Sequence, residues 1–255
     1  MCFITDNTIR VLSNMEFDFD LSFEMVKKYD IEKRLDMLDA LTAMKFKLFR
    51  AKRDKFGKRL HHNYTNLKGE IRRACIIGDF VELDIANSQP LLMAVKYKNE
   101  KYLECCQRGI FYEIIYFAAT GKQPSEDERD FVKSSIYHLF FCRPDNQTKN
   151  TFYEPINKIF PGLMELLYEM KQGFYDDTKI GEEYKDVAKF LQRTESKLFI
   201  DGILKKSYKL FPDDIIISVH DSIICPTAIA NDIKQLIQET YNKKNIYPKI
   251  HTKET

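Results

Sequence analysis

Apolar positions recur at helical spacing through residues 20 to 56: Leu21, Phe23, Met25 and Val26, then Leu35, Met37, Leu38, Leu41 and Met44, with charges between them. That spacing predicts helix over the stretch. From Phe80 to Ile85 the period drops to two, with Val81, Leu83 and Ile85 alternating against Glu82 and Asp84, which predicts a half-buried strand, then a turn and a helix beginning near Pro90. A helix-rich block follows over 90 to 210. Its best bounded member runs from 126 to about 142, because Ser125 and Glu128 have capping-box spacing after Pro124 and Pro144 stops the helix. Ile215 to Val219 and Ile223 to Cys225 are short β-rich runs around His220-Asp221-Ser222, which predicts a hairpin with polar residues at its tip. Residues 227 to 241 predict an amphipathic helix and Tyr247 to His251 a last strand. No internal repeat or low-complexity linker interrupts the pattern.

Composition narrows the class. The 255 residues are 44% hydrophobic and 31% charged, a globular balance that suits one large domain or two small lobes. Forty Lys and Arg against 38 Asp and Glu leave a net charge of +2, so any polyanion partner must be met by local clustering. The start Met1-Cys2-Phe3-Ile4-Thr5-Asp6 lacks a signal peptide's features, and the longest apolar region, Gly109 to Gly121, is short and carries Glu113. A soluble, intracellular protein, cytoplasmic by default and without a membrane partner, is expected. Six cysteines without CxxC spacing argue against a zinc site or disulfide framework.

Three groups of residues carry candidate chemistry. Between 45 and 59 eight of fifteen residues are Lys or Arg, with Phe46, Phe49 and Phe56 interleaved; the stripe could track phosphates, or it could be a solvated helix face with lysines over buried rings. On the bounded helix Arg129, Lys133, Tyr137 and Phe141 fall at four-residue steps, so each is rotated about 40° from the last and all share one face over about 18 Å. Two cations one turn apart can grip a polyphosphate while the aromatics cover a base and sugar; the same pattern also describes an ordinary amphipathic helix. Finally, Asp84 ends a predicted strand and Asp221 sits at a hairpin tip. If those strands are neighbours the carboxylates converge, and a pair of Mg2+ ions about 3.5 to 4 Å apart would relieve their repulsion.

In order along the chain, these residues resemble a family. Asp84-Ile85-Ala86-Asn87-Ser88-Gln89 looks like motif A of family A DNA polymerases and the related single-subunit RNA polymerases. The line Arg129, Lys133, Tyr137, Phe141 is similar to motif B on their fingers helix, and Ser218-Val219-His220-Asp221-Ser222 looks like motif C. Arg59 to Leu67 resembles the Arg-Leu-rich segment with its Asn66-Leu67 pair, and Gln192-Arg193-Thr194 the Gln-x-Thr segment before motif C. The resemblance runs from about residue 57 to the C-terminus.

It implies an α+β fold: a right-hand palm with a small antiparallel sheet over 57–89 and 186–255, helical fingers over 90–185, and a reduced helical thumb or arm over 1–56. It implies Asp84 and Asp221 as ligands of two Mg2+ ions (Mn2+ as substitute), and Arg129 and Lys133 on a nucleoside triphosphate, Lys133 also donating a proton to pyrophosphate. Tyr137 would lie against the incoming nucleotide and Phe141 near the templating base. Arg59, Asn66, Gln192 and His220 would contact primer-template nucleic acid. The reaction implied is DNA-directed extension of a primer, with an RNA polymerase or primase, or a catalytically silent palm serving replication, as the alternatives. Three departures stand out. Gln89 replaces the Glu that excludes ribonucleotides in the DNA enzymes, Ser222 follows Asp221 where those enzymes usually have Glu, and Phe141 stands where Tyr is usual. The length leaves no room for a proofreading exonuclease or full thumb, which implies low processivity or a processivity partner. The Lys, Asn, Ile and Tyr content suits an AT-rich viral or mobile-element genome.

Overall fold

The computed structural model describes residues 2–255. In chain order the elements are α1 (Phe3–Asn14), α2 (Phe19–Val26), α3 (Ile31–Lys45), β1 (Ala51–Arg53), β2 (Leu60–His62), α4 (Gly69–Cys75) and β3 (Phe80–Ile85). There follow α5 (Ser88–Tyr97), α6 (Glu100–Arg108), α7 (Phe111–Thr120), α8 (Glu126–Phe141), α9 (Tyr153–Ile159), α10 (Leu163–Met170) and α11 (Asp186–Leu198). A π-helical turn, Phe199–Leu204, leads into α12 (Lys205–Leu210), then β4 (Ile217–Val219), β5 (Ser222–Pro226), α13 (Ala230–Asn242) and β6 (Ile250–Glu254).

The chain divides into two compact units: 1–85, 195–243 and 250–255 form the first, and 86–194 with 244–249 the second. The first is built on a four-stranded antiparallel sheet in the order β4-β5-β3-β6. Strand alternation sorts its side chains: Val81, Leu83, Ile85, Ile223 and Cys225 are buried on one face, and α13 packs on β3 and β5 through its apolar stripe of Ile233, Leu236, Ile237 and Tyr241. Glu82 and Asp84 therefore point to the opposite face. The turn between β4 and β5 is two residues long, and His220 takes φ 55 there, the left-handed conformation a tight hairpin demands.

The second unit is helical. Tyr102, Phe111 and Phe160 are fully buried, with ring centroids 5.1 to 5.8 Å apart, separations at which aromatic pairs attract beyond their area burial. Its α8 begins at the predicted capping box, where the Glu128 amide donates to Ser125 Oγ and the Ser125 amide to Glu128 Oε2. Among the described residues no helix is long and apolar enough to cross a membrane, and Cys2, Cys105, Cys106, Cys142 and Cys225 are free thiols.

Two expectations need correction. Helix does not continue through 56: α3 stops at Lys45, Lys47 takes φ 57, and the chain turns into the β1–β2 hairpin. Asp54 drives that hairpin, its two carboxylate oxygens accepting from the amides of Gly57 and Arg59, a local bond pattern that competes with helix. The last strand starts at Ile250 rather than Tyr247, because Pro248 has no amide to give a ladder and the Tyr247 amide donates instead to Gln107 Oε1.

Candidate functional site

In the first unit the strand register places the two aspartates. Asp84 pairs with Ser222, the residue after Asp221, and the Ile85 amide donates to the Asp221 carbonyl at 3.3 Å. Both aspartates thus lie at one end of adjacent strands. Asp84 is partly exposed, and Lys253 on β6 donates to its Oδ2 at 2.8 Å. A cation therefore already rests on this oxygen. Oxygen ligands of this kind fit Mg2+, which binds through one or two carboxylates and completes its shell with water and substrate phosphates. Among the described residues no cluster of three or more His, Cys, Asp or Glu is arranged to hold a metal. Glu82 shares the face: Ser222 Oγ donates to its Oε1 at 2.8 Å and Arg73 Nη1 lies 3.6 Å from its other oxygen.

Below the hairpin tip lies a basic and aromatic cluster. Arg59 forms a two-pronged pair with the buried Glu195, both bonds 2.9 Å, and His61 Nε2 donates to Asp54. The His61 and His220 rings meet edge-on at 6.3 Å. Burial lowers His220 to about 4, helped by the charge of Arg59, and its Nδ1 has no hydrogen-bond partner among the described residues. Burial likewise holds His62 at about 4, its Nε2 donating to the Ser218 carbonyl. Asn66 is exposed. The stripe from 45 to 59 presents Lys45, Lys47, Arg50, Lys52, Lys55 and Lys58 on the surface, none in an ion pair among the described residues. Phe46, at 69%, and Phe56 are exposed between them while Phe49 is half-buried, so two of the three rings lie open rather than buried under the lysines.

In the second unit α8 buries Val132, Ile136, Leu139 and Phe140. Arg129, Lys133, Tyr137 and Phe141 run along its edge, half-buried except for the exposed Lys133. Arg129 donates to Glu113 at 2.6 Å and covers the Tyr112 ring at 5.3 Å. The Lys133 ammonium lies 6.0 Å from the Tyr137 ring centre, and Tyr137 stacks on Phe141 at 6.1 Å. Two cations and two rings thus run along one edge of α8, with the Arg129 cation paired to Glu113 and the two rings stacked on each other. Gln89 is buried in the first turn of α5, and Gln192 is half-buried on α11.

No family model matches this sequence, and no curated protein matches it. Among solved structures the chain is similar to the POL domain of Pol1 from M. smegmatis, in complex with DNA primer-template and dNTP. The likeness has a TM-score of 0.65 at 13% identity. It covers 87% of this chain and 51% of that one, so the chain spans about half the length of its structural neighbour. The fold is that of a polymerase palm and fingers. Glu82 and Lys253 lie outside the polymerase-like motifs. The strand alternation around Asp84 already signals Glu82 on the same face, whereas Lys253 lies beyond the strand that the local pattern predicts over Tyr247 to His251.

Proposed function

We propose that the chain catalyses template-directed nucleotidyl transfer, extending the 3′ end of a DNA primer with dNTPs. The observation that carries this reading is the β3–β5 register, which sets Asp84 beside the Asp221 turn in a fold shared with a polymerase domain. In this reading residues 57–89 and 186–255 act as palm, 90–185 as fingers and 1–56 as a reduced thumb or arm. Asp84 and Asp221 hold two Mg2+ ions, for which Mn2+ can substitute. When bound, these ions activate the primer hydroxyl and stabilise the pyrophosphate leaving group.

The remaining work belongs to side chains. Arg129 and Lys133 hold the triphosphate, and Lys133, the more exposed of the two, gives a proton to pyrophosphate as its charge grows. Tyr137 and Phe141 offer stacked faces to the incoming nucleotide and the templating base. His220, neutral because it is buried, steadies the primer terminus without adding charge beside the aspartates. Arg59, Asn66 and Gln192 contact the primer-template, and the 45–59 stripe tracks the duplex backbone. Gln89 meets the 2′ position of the incoming sugar.

Primer extension on DNA and RNA templates, run separately with dNTPs and NTPs, tests the reading. Extension with dNTPs that falls about 10³-fold in Asp84→Asn and in Asp221→Asn is expected. Preference for NTPs would move the chain to the RNA polymerase or primase reading, which the residues His220-Asp221-Ser222 favour. Tight DNA binding without extension would make it a silent palm. Gln89→Gly should admit NTPs with a gain of about 10-fold in kcat/KM for ATP relative to dATP; an unchanged ratio would remove Gln89 as the sugar gate.

A further inference from the structure

The sheet register leaves one pairing unexplained by packing. Lys253 stands directly opposite Glu82 across the β3–β6 ladder, and His251 opposite Asp84, yet the Lys253 ammonium bypasses Glu82 and bonds Asp84 at 2.8 Å. Directly paired residues share a sheet face, so both carboxylates are within its compass. Glu82 is already supplied, by the Ser222 hydroxyl at 2.8 Å and by Arg73 at 3.6 Å. Asp84 has no other ion-pair partner among the described residues. The lysine therefore bonds the carboxylate that has no other ion pair among the described residues, Arg72 acting on both Asp84 and Glu82 only through its charge, and it does so beside a second aspartate one residue from the Asp84 register partner.

We propose that Lys253 is the resident counter-cation of Asp84, holding its carboxylate in the ion-free protein and yielding it to the divalent ion on loading. This rests on the metal-dependent reading above. Two observations make the lysine displaceable. It lies on the edge strand of the sheet, and its side chain is 47% exposed, so its flexible four-carbon stem can swing into water without disturbing a packed neighbour. A half-exposed pair of this kind is also weak, whereas a divalent ion carries twice the charge and, in the two-aspartate reading proposed above, is drawn by Asp221 as well. Metal binding is then an exchange of cations on Asp84 Oδ2 rather than the filling of a bare site. The affinity for free divalent ion is set below what the two carboxylates alone would give. Metal arriving with the triphosphate, which brings its own phosphate ligands, gains an advantage over metal arriving alone.

Electron paramagnetic resonance of Mn2+ titrated into the full chain, without nucleotide, reads the exchange directly. Lys253→Gln should bind Mn2+ about 10-fold more tightly than the wild type, the scale of removing one competing charge from a half-exposed carboxylate. Lys253→Arg, which keeps the charge, should stay within about 2-fold of the wild type, and Asp84→Asn should lose most binding. The Mg2+ midpoint for primer extension should fall in parallel for Lys253→Gln. If the wild type binds Mn2+ and extends primers but Lys253→Gln binds no more tightly, the counter-cation role is overturned and the polymerase reading stands. If the wild type neither binds Mn2+ nor extends any primer with either nucleotide set, both fall together. Tighter binding by both Lys253→Gln and Lys253→Arg would also overturn the role, because it would mean that side-chain shape rather than charge is being read.

Discussion

Two segments of this chain have nearly the same ingredients and opposite fates. Residues 45–59 and 129–141 both interleave cations with aromatic rings at spacings that suit a helix. The second is a helix, with its cations and rings in one line along an edge; the first breaks after Lys45 and folds back as a hairpin. The difference lies at the ends. Ser125 and Glu128 cap α8 reciprocally and Pro144 follows it, whereas Asp54 captures two amides in the middle of the other segment. Spacing within a segment predicts a shared face only where the ends commit the backbone to the period that makes the face.

The hairpin's last cation offers the hardest test of this contrast. Arg59 holds Glu195, a buried carboxylate, so Arg59→Ala should destabilise the protein by about 3 kcal/mol, seen as a lower urea midpoint. Arg129→Ala breaks a more exposed pair and should cost under about 1 kcal/mol. Equal losses would erase the distinction between an anchored hairpin and a working helix edge.

Acid sharpens the same contrast. His62, at the end of β2, has a folded-state value of about 4 against 6.5 when free. The unfolded chain therefore binds the proton first. The stability His62 secures is complete above about pH 6.5, declines as pH falls toward 4, and is exhausted below that, with a ceiling near 3 kcal/mol. Melting temperature followed from pH 7 to 4.5 should fall, and less steeply in His62→Gln. An identical slope in the variant would place the acid sensitivity elsewhere, His220 being the other lowered histidine.

On the helix edge, Lys133→Ala should lower kcat about 10²-fold, while Arg129→Ala should chiefly raise the nucleotide KM. Small and equal effects would reduce α8 to an amphipathic surface. The gentlest test falls on the hairpin surface: replacing Lys45, Lys47, Lys52 and Lys55 by Gln should flatten the dependence of log affinity for duplex DNA on log salt. Each phosphate that the variant no longer neutralises should lower the slope by about 0.9, with folding unchanged. A slope identical to that of the wild type would mean that the stripe does not meet DNA.

What could be read from the sequence followed from strong local periods. The β3 alternation, the capping box of α8 and the polar tip between β4 and β5 each fixed an element together with the direction of its side chains, and Asp84, Lys133 and Asp221 were legible for that reason. What escaped depends on pairings far apart in sequence. Glu195 reaching Arg59 and Lys253 reaching Asp84 are separated by 136 and 169 positions, and no local pattern announces such pairs. The Asp54 turn was local, yet it was masked by the apolar spacing around it.

The turn at His220 has a practical consequence for anyone improving the protein. A non-glycine residue at φ 55 carries backbone strain that glycine would not, so His220→Gly should raise the melting temperature while deleting the ring proposed to steady the primer. Screens for heat resistance will tend to recover changes at this turn, and each success there would come with impaired function. Libraries meant to yield a sturdier protein should hold His220 constant.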